Sequence, residues 1–195
     1  ITVPDTWTIH HPKAEGKQEK APADDLGLVK AALARPVKST PIEKLKLKGK
    51  KIVIVVDDNT RPTPADRFFH LVLAALTKAG ASMKNVLLIP ALGIHTPMTE
   101  SEMALKVGAK NLAKIKWENH HAFDKDKNHY FGATRRKTPV WLNKHLADAD
   151  LIISIGMVEP HLWAGFGGGL KNILQGVAYF ETIGIPHSII PEPPY

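Results

Sequence analysis

The sequence predicts an α/β fold: a mostly parallel sheet with flanking helices, Rossmann-like and three-layered, preceded by an N-terminal arm. Three observations predict it. The run KIVIVV (51–56) is apolar and β-branched without alternation, as a strand buried on both faces is; NVLLIP (85–90) reads as a second buried strand and LIISIG (151–156) as the clearest strand. Segments between them carry apolar residues at helical spacing. A cluster of glycine, proline and polar residues follows each run, where open α/β sheets bind their ligands.

Taken in order, residues 1–48 are rich in proline and lysine and form the arm, with one short helix around Leu26 to Leu33; residues 49–195 form the α/β domain. After the first strand, Pro62 and Pro64 suit a helix start, where a missing N–H costs nothing. FFHLVLAALTKAG continues that helix and Gly80 stops it. Thr99 with Glu102 makes a capping box that opens the next helix. IKWEN (115–119) reads as a third strand, residues 120–136 as polar and irregular, and WLNKHL (141–146) as helical. GGLKNILQGVAYF (168–180) reads as a helix entered through glycines, and no internal repeat is present. Strands alternating with helices imply right-handed parallel crossovers.

Composition narrows the function. A chain of 195 residues that is 44% hydrophobic and 23% charged is neither collagenous nor disordered, and it is long enough to bury a core. The absence of cysteine excludes disulfides, thiolate nucleophiles and Cys-ligated zinc or iron–sulfur sites. Apolar runs such as Leu151 to Ile155 fall far short of the roughly 18 residues that span a bilayer. The opening ITVPDTW lacks the basic start and apolar stretch of a signal peptide, so a cytoplasmic location is expected. The chain starts without methionine and ends on PEPPY, so processing or a longer parent is expected.

The net charge of +7 is uneven: five lysines fall within Lys44 to Lys51. They could bind nucleic-acid phosphates. A solvated segment leading into a strand is favoured instead, because Leu45 and Leu47 alternate with the lysines and no aromatics interleave. Anionic small molecules suit a basic chain equally well.

The residues after each strand carry the chemistry. After the first comes DDNTRPTP (57–64): Asp58 can orient a histidine, and Arg61 can fork onto a carboxylate or phosphate. The second is followed by ALGIHTPMTE (91–100), which holds His95 on a short loop. Beyond the last, in GMVEPHLWAGFGGGLK (156–171), Glu159, His161 and Lys171 bracket Gly165, Gly167, Gly168 and Gly169. Glycines at a strand-to-helix junction let backbone N–H groups approach a phosphate. Neither a P-loop nor GxGxxG fits: Leu170 precedes Lys171 and Asn172 follows it, and Leu170 takes the last GxGxxG position counted from Gly165. His187 and the pair His120 and His121 complete the candidates. Neutral imidazoles transfer protons near pH 7 or bind nickel, zinc or iron. On chemistry alone this is an α/β enzyme for a small anionic substrate, with histidine acid/base catalysis and a phosphate-bearing cofactor.

In four blocks the sequence resembles the N-terminal domain of the nickel-pincer lactate racemase family: DDNTRPTP, ALGIHTPMTESE, ENHHAF, and GMVEPHLWAGFGGGLKNILQGVA running on to PHS. Spacings match as well, with ten residues from His161 to Lys171 and sixteen from Lys171 to His187. The resemblance implies a nickel-pincer nucleotide as cofactor, a pyridinium bis-thiocarboxylic acid mononucleotide whose sulfur arms hold nickel (Ni). It makes Lys171 the tether, His187 the nickel ligand, and His95 with His161 the acid/base pair. Asp58 and Arg61 would orient that pair and the substrate, and the glycines would lie against the nucleotide phosphate. It implies a racemase or epimerase of a lactate-like 2-hydroxy acid. Hydride leaves C2 while a histidine takes the hydroxyl proton, and return of hydride to the other face inverts the centre, one histidine serving each direction.

Gly167 stands where the family often has serine, and His121 where Asp is common. Family members are roughly twice as long, so the resemblance makes this chain a cofactor-binding fragment, inactive alone. Its expected partners are the small 2-hydroxy acid, the absent C-terminal domain and the enzymes that build the cofactor. Two other readings stay open. One is a metal-dependent hydrolase or lyase ligating through His95, His161 and His187. The other is a nucleic-acid-binding module whose basic arm would show steep salt dependence.

Overall fold

Strand β1 (Ile52–Asp57) is buried along its whole length, as a run with apolar side chains on both faces must be. It lies parallel between β2 (Val86–Ala91) and β6 (Leu151–Ile155), with Ile54 opposite Leu88 on one side and Ile153 on the other. The short strand β3 (Lys116–Trp117) extends the sheet to the order β3-β2-β1-β6. The chain thus winds outward from β1 through β2 to β3, then returns to the other side of β1. That reversal makes the carboxyl ends of β1 and β6 a topological switch point. The structure is a computed structural model that describes residues 25–161 and 164–188; for Asp25, Pro186 and His187 it describes the backbone alone.

Alternate side chains of β1 enter two cores. Ile52, Ile54 and Val56 pack with Phe69, Val72 and Leu76 of helix α2 (Ala65–Lys78) and with Met103 and Val107 of α3 (Glu100–Val107). Val53 and Val55 face the opposite layer, against Ile89, Leu142, Leu146, Val177 and Ile183. Full burial of each such side chain contributes about 1.5–3 kcal/mol. Helix α2 begins just after Pro64 and buries Ala65, Phe69, Val72, Leu73 and Leu76, one stripe at helical spacing. Gly80, at φ +87°, turns the chain after it. The capping box forms: Thr99 Oγ1 accepts from Glu102 N, and Glu102 Oε2 accepts from Thr99 N at 2.7 Å. A single turn, α4 (Ala109–Leu112), leads to β3.

At the other end, helix α1 (Asp25–Ala34) stands where one was expected; residues 1–24 of the arm lie outside the described residues. Leu47 is buried and Leu45 packs on the core, whereas Lys50 pairs with Asp150 at 2.8 Å near the surface. Among the described residues no helix is long and apolar enough to cross a membrane.

Outside the sheet's centre the structure corrects three expectations. WLNKHL is not helical: β5 (Pro139–Asn143) pairs antiparallel with β4 (Asn128–Ala133), and one 3-10 turn follows. Tertiary pairing decides this, since Asn143 N also bonds to Val177 O at 2.8 Å and Leu142 bridges to Ala178. Residues 120–136, expected to be irregular, contain β4. The helix expected over 168–180 splits into α5 (Leu170–Leu174) and α6 (Phe180–Ser188), divided at Gly176. A Cβ on Gly176 would lie 2.4 Å from the Ala91 Cβ, so the chain changes direction where only glycine fits against the end of β2. Within the loop after β6, two-residue strands β7 (Pro160–His161) and β8 (Gly165–Phe166) make a small hairpin.

Candidate active site

A cavity of about 580 Å³ opens at the switch point, walled by the segments that follow β1, β2 and β6. Its lining includes eight residues singled out from sequence: Asp58, Arg61, His95, Glu159, His161, Gly167, Gly168 and Lys171. Three strand-end segments, far apart in the chain, therefore converge on one space.

Asp58 begins the loop after β1, and its carboxylate is buried. Oδ1 accepts from the backbone N–H of Thr60 at 3.1 Å and from the Thr60 hydroxyl, which fixes the side chain's rotation. Oδ2 meets His95 Nδ1 at 2.5 Å. A carboxylate only accepts, so Nδ1 carries a proton and the neutral ring keeps its lone pair on Nε2. His95 is half exposed, and its loop is held by His95 N to Leu92 O (2.9 Å) and Gly93 N to Gly176 O (2.8 Å). The contact that anchors Gly93 is the one that Gly176 makes possible.

Arg61 Nη1 donates to Glu159 Oε1 at 2.5 Å, joining the first loop to the last. Glu159 O in turn accepts from Gly167 N at 2.7 Å. The glycines here are required by close approach: a Cβ on Gly168 (φ +68°) would lie 2.7 Å from Met157 O. One on Gly156 would lie 2.5 Å from Asn172 Nδ2, a buried amide that donates to Ile155 O at 3.0 Å. Burial, then the nearby Arg61 charge, lowers the pKa of Lys171, while Asp58 and Glu159 partly oppose them. More of its amine is thus neutral and nucleophilic than in an exposed lysine. His161 Nδ1 accepts from Ala164 N at 3.3 Å, which leaves the proton of the neutral ring on Nε2.

Sequence reasoning passed over the support beneath this site. Asp57 Oδ2 accepts from the Thr63 hydroxyl and from Met157 N at 3.2 Å, while Oδ1 pairs with the buried Lys106 ammonium at 2.8 Å. The available signal was a lysine between buried Met103 and Val107 on the apolar face of α3. Asn172 and Gln175 also line the cavity.

Other expected residues stand apart. Gly165 (φ +75°) is exposed on the hairpin and Gly169 is the residue before α5; neither lines the cavity. His187 is on α6, and its side chain lies outside the described residues. His120 is buried and structural: Nε2 donates to Ala178 O at 2.8 Å and Nδ1 accepts from Asn143 Nδ2 at 3.3 Å. Burial pushes its pKa down to about 4. Among the described residues, no three His, Asp or Glu side chains are grouped to hold a metal ion.

The model of the lactate racemase N-terminal domain family matches residues 1–194. The chain belongs to that family. It is 32% identical, over 160 residues, to the lactate racemases of Thermoanaerobacterium thermosaccharolyticum and Lactiplantibacillus plantarum. Each alignment covers 82% of this chain but only 37% and 38% of the relatives, so the chain spans little more than a third of their length. The T. thermosaccharolyticum lactate racemase apoprotein superposes with a TM-score of 0.74 at 32% identity, covering 81% of this chain and 38% of that one. A Thermotoga maritima protein superposes with a TM-score of 0.62 at 22% identity, covering 83% of this chain and 39% of that one, and shares the fold. The α/β architecture of this lactate racemase N-terminal domain is thus that of a solved relative.

Proposed function

We propose that this chain is the cofactor-holding, acid/base half of a 2-hydroxy acid racemase or epimerase that uses a nickel-pincer nucleotide. The observation that carries the reading is the Asp58–His95 pair at 2.5 Å in one cavity wall shared with Arg61, His161 and Lys171. Family membership supports it.

The residues present fit such a group. The cavity is large enough for a mononucleotide-sized ligand, within the range of about 300–1,000 Å³ usual for small-molecule sites. Gly167 and Gly168 form a wall that a Cβ would crowd, and Gln175 Oε1, of another residue lining the cavity, is buried without a hydrogen-bond partner. Lys171, with its lowered pKa, would hold the group, covalently if its amine is acylated. His187 would complete the nickel coordination. The pincer nucleotide, when bound, supplies the acceptor and donor of hydride at C2 of the substrate.

The remaining work falls to this chain's side chains. His95 Nε2 takes the proton of the 2-hydroxyl, and Asp58 holds the ring in the tautomer that permits it. Arg61, with Nη1 on Glu159, directs its other N–H groups to the substrate carboxylate. His161 presents an Nε2–H to the developing oxygen; to act as a base it must first release Ala164 N. The rest of the parent protein would close the site and choose the substrate's side chain.

The test is the intact mass of the natural protein that carries this chain, made in cells that synthesise the cofactor. It is recorded under native and denaturing conditions with a nickel assay on the same sample. A cofactor-sized adduct that survives denaturation and is lost in Lys171→Ala is the expected result. An adduct seen only under native conditions keeps the function and removes the tether. Neither adduct nor nickel, beside a loaded control, overturns the reading.

A further inference from the structure

We infer that Lys106 is a positioning residue that sets Asp58 against His95. Its side chain is only 5% exposed, and it does not line the cavity. The ammonium lies among three oxygens: it donates to the Asp58 carbonyl at 2.9 Å and the Arg61 carbonyl at 2.8 Å, and it forms an ion pair with Asp57 Oδ1 at 2.8 Å. Two of the three are main chain of the loop that carries both polar side chains. That loop has one backbone bond of its own across the turn, Arg61 N to Asp58 O at 3.2 Å. The lysine therefore grips the turn at both ends from below.

Charge balance alone does not account for this arrangement. A buried ion pair is often no more stabilising than two apolar side chains of the same volume. What the ammonium adds is direction, because its bonds fix where the Asp58 backbone, and hence its carboxylate, stands. The other oxygen of its partner Asp57 receives Thr63 Oγ1 and Met157 N. One buried pair thus fastens the loop after β1 to the start of the segment carrying Glu159 and His161. The effect on His95 follows from these contacts; the effect on turnover rests on the function proposed above.

The test uses Lys106→Met in the natural full-length protein. It keeps the volume of the stem and removes all three donors. Because it strands the Asp57 carboxylate, Asp57→Asn/Lys106→Met is made alongside and carries the test if the single variant does not fold; the new amide oxygen still accepts from Thr63 and Met157. Side-chain nitrogen NMR at pH 8.5, with His95 assigned by His95→Gln, reads the tautomer. In the wild type His95 is held as the Nδ1–H form. In the folded variant the Nδ1–H form falls to a minority, while the His70 and His129 signals stay in place. With cofactor loaded, kcat falls about 100-fold with little change in KM, the scale of a misplacement near 1 Å. A folded variant whose His95 keeps the wild-type tautomer overturns the inference, whatever its activity. A shifted tautomer with unchanged racemisation sustains the inference and counts instead against His95 as the base.

Discussion

Alanine at Gly168 separates two costs that the glycine turn hides. Gly165 and Gly168 both have positive φ, +75° and +68°. An alanine at either pays a left-handed backbone penalty of about 1–2 kcal/mol. At Gly165 the added Cβ meets nothing within 4 Å, whereas at Gly168 it lies 2.7 Å from the Met157 carbonyl oxygen. That oxygen is main chain and has no flexible end to swing aside, so overpacking adds about 1–3 kcal/mol. The expected losses are about 2–5 kcal/mol for Gly168→Ala and about 1–2 kcal/mol for Gly165→Ala. At about 2–4 °C per kcal/mol for a chain of this size, Tm falls by about 4–20 °C and about 2–8 °C respectively. Circular dichroism melts of the two variants and the wild type, in one buffer, read both. Equal losses in the two variants, or a larger loss at Gly165, would refute the assigned contact and with it the close wall of the cavity.

Other outcomes are equally direct. His120 is neutral in the fold down to about 4, against about 6.5 in an unfolded chain, so the unfolded state binds the extra proton first. The associated stability is intact above about pH 6.5, declines as the pH falls, and is fully lost below about 4, about 3 kcal/mol in all; urea unfolding of His120→Gln should lack that slope. Lys171 should be acylated at a lower pH than the free amine of lysine in solution, and Arg61→Met should move its profile back toward the ordinary lysine range. Below that range the unfolded chain holds the Lys171 proton more tightly, so Lys171→Met should raise the melting temperature at pH 7. Gly176→Ala, which drives a Cβ to 2.4 Å from both Ala91 Cβ and Asn172 O, should cost more stability than alanine at the open Gly184.

Strands β1 and β2 were legible because a strand buried on both faces is apolar throughout; β6 was legible from its isoleucine-rich run, although it is the edge strand of the sheet and leaves Ile152 exposed. Helix α2 was legible because its stripe and its prolines agree. The residues Asp58, Arg61, His95, His161 and Lys171 were legible because a parallel sheet gathers its strand ends, so chemistry written after separate strands must meet. The β4–β5 hairpin was not. Trp141, Leu142, His145 and Leu146 fit a helical repeat, and only pairing with β4 and Ala178 makes the segment extended. The break at Gly176 escaped for the same reason, since its cause is Ala91 on another strand. Lys106 escaped because the sequence displays a charge on an apolar face but not the three oxygens that meet it.

The pairing of β1 with β6 sets the order in which the molecule can assemble. Ile52 and Leu151 are neighbours in the sheet but 99 residues apart in the chain. The local β1–α2–β2 unit can close as soon as it leaves the ribosome, while the other edge of β1 must wait for most of the domain to be synthesised. During that interval a strand apolar from Ile52 to Val56 presents unpaired N–H and C=O groups, the template on which chains add to one another. Closure across so long a separation is also intrinsically slow. Truncation upstream of Leu151 would leave that edge permanently open, and expression yield should then be limited by aggregation of nascent chains.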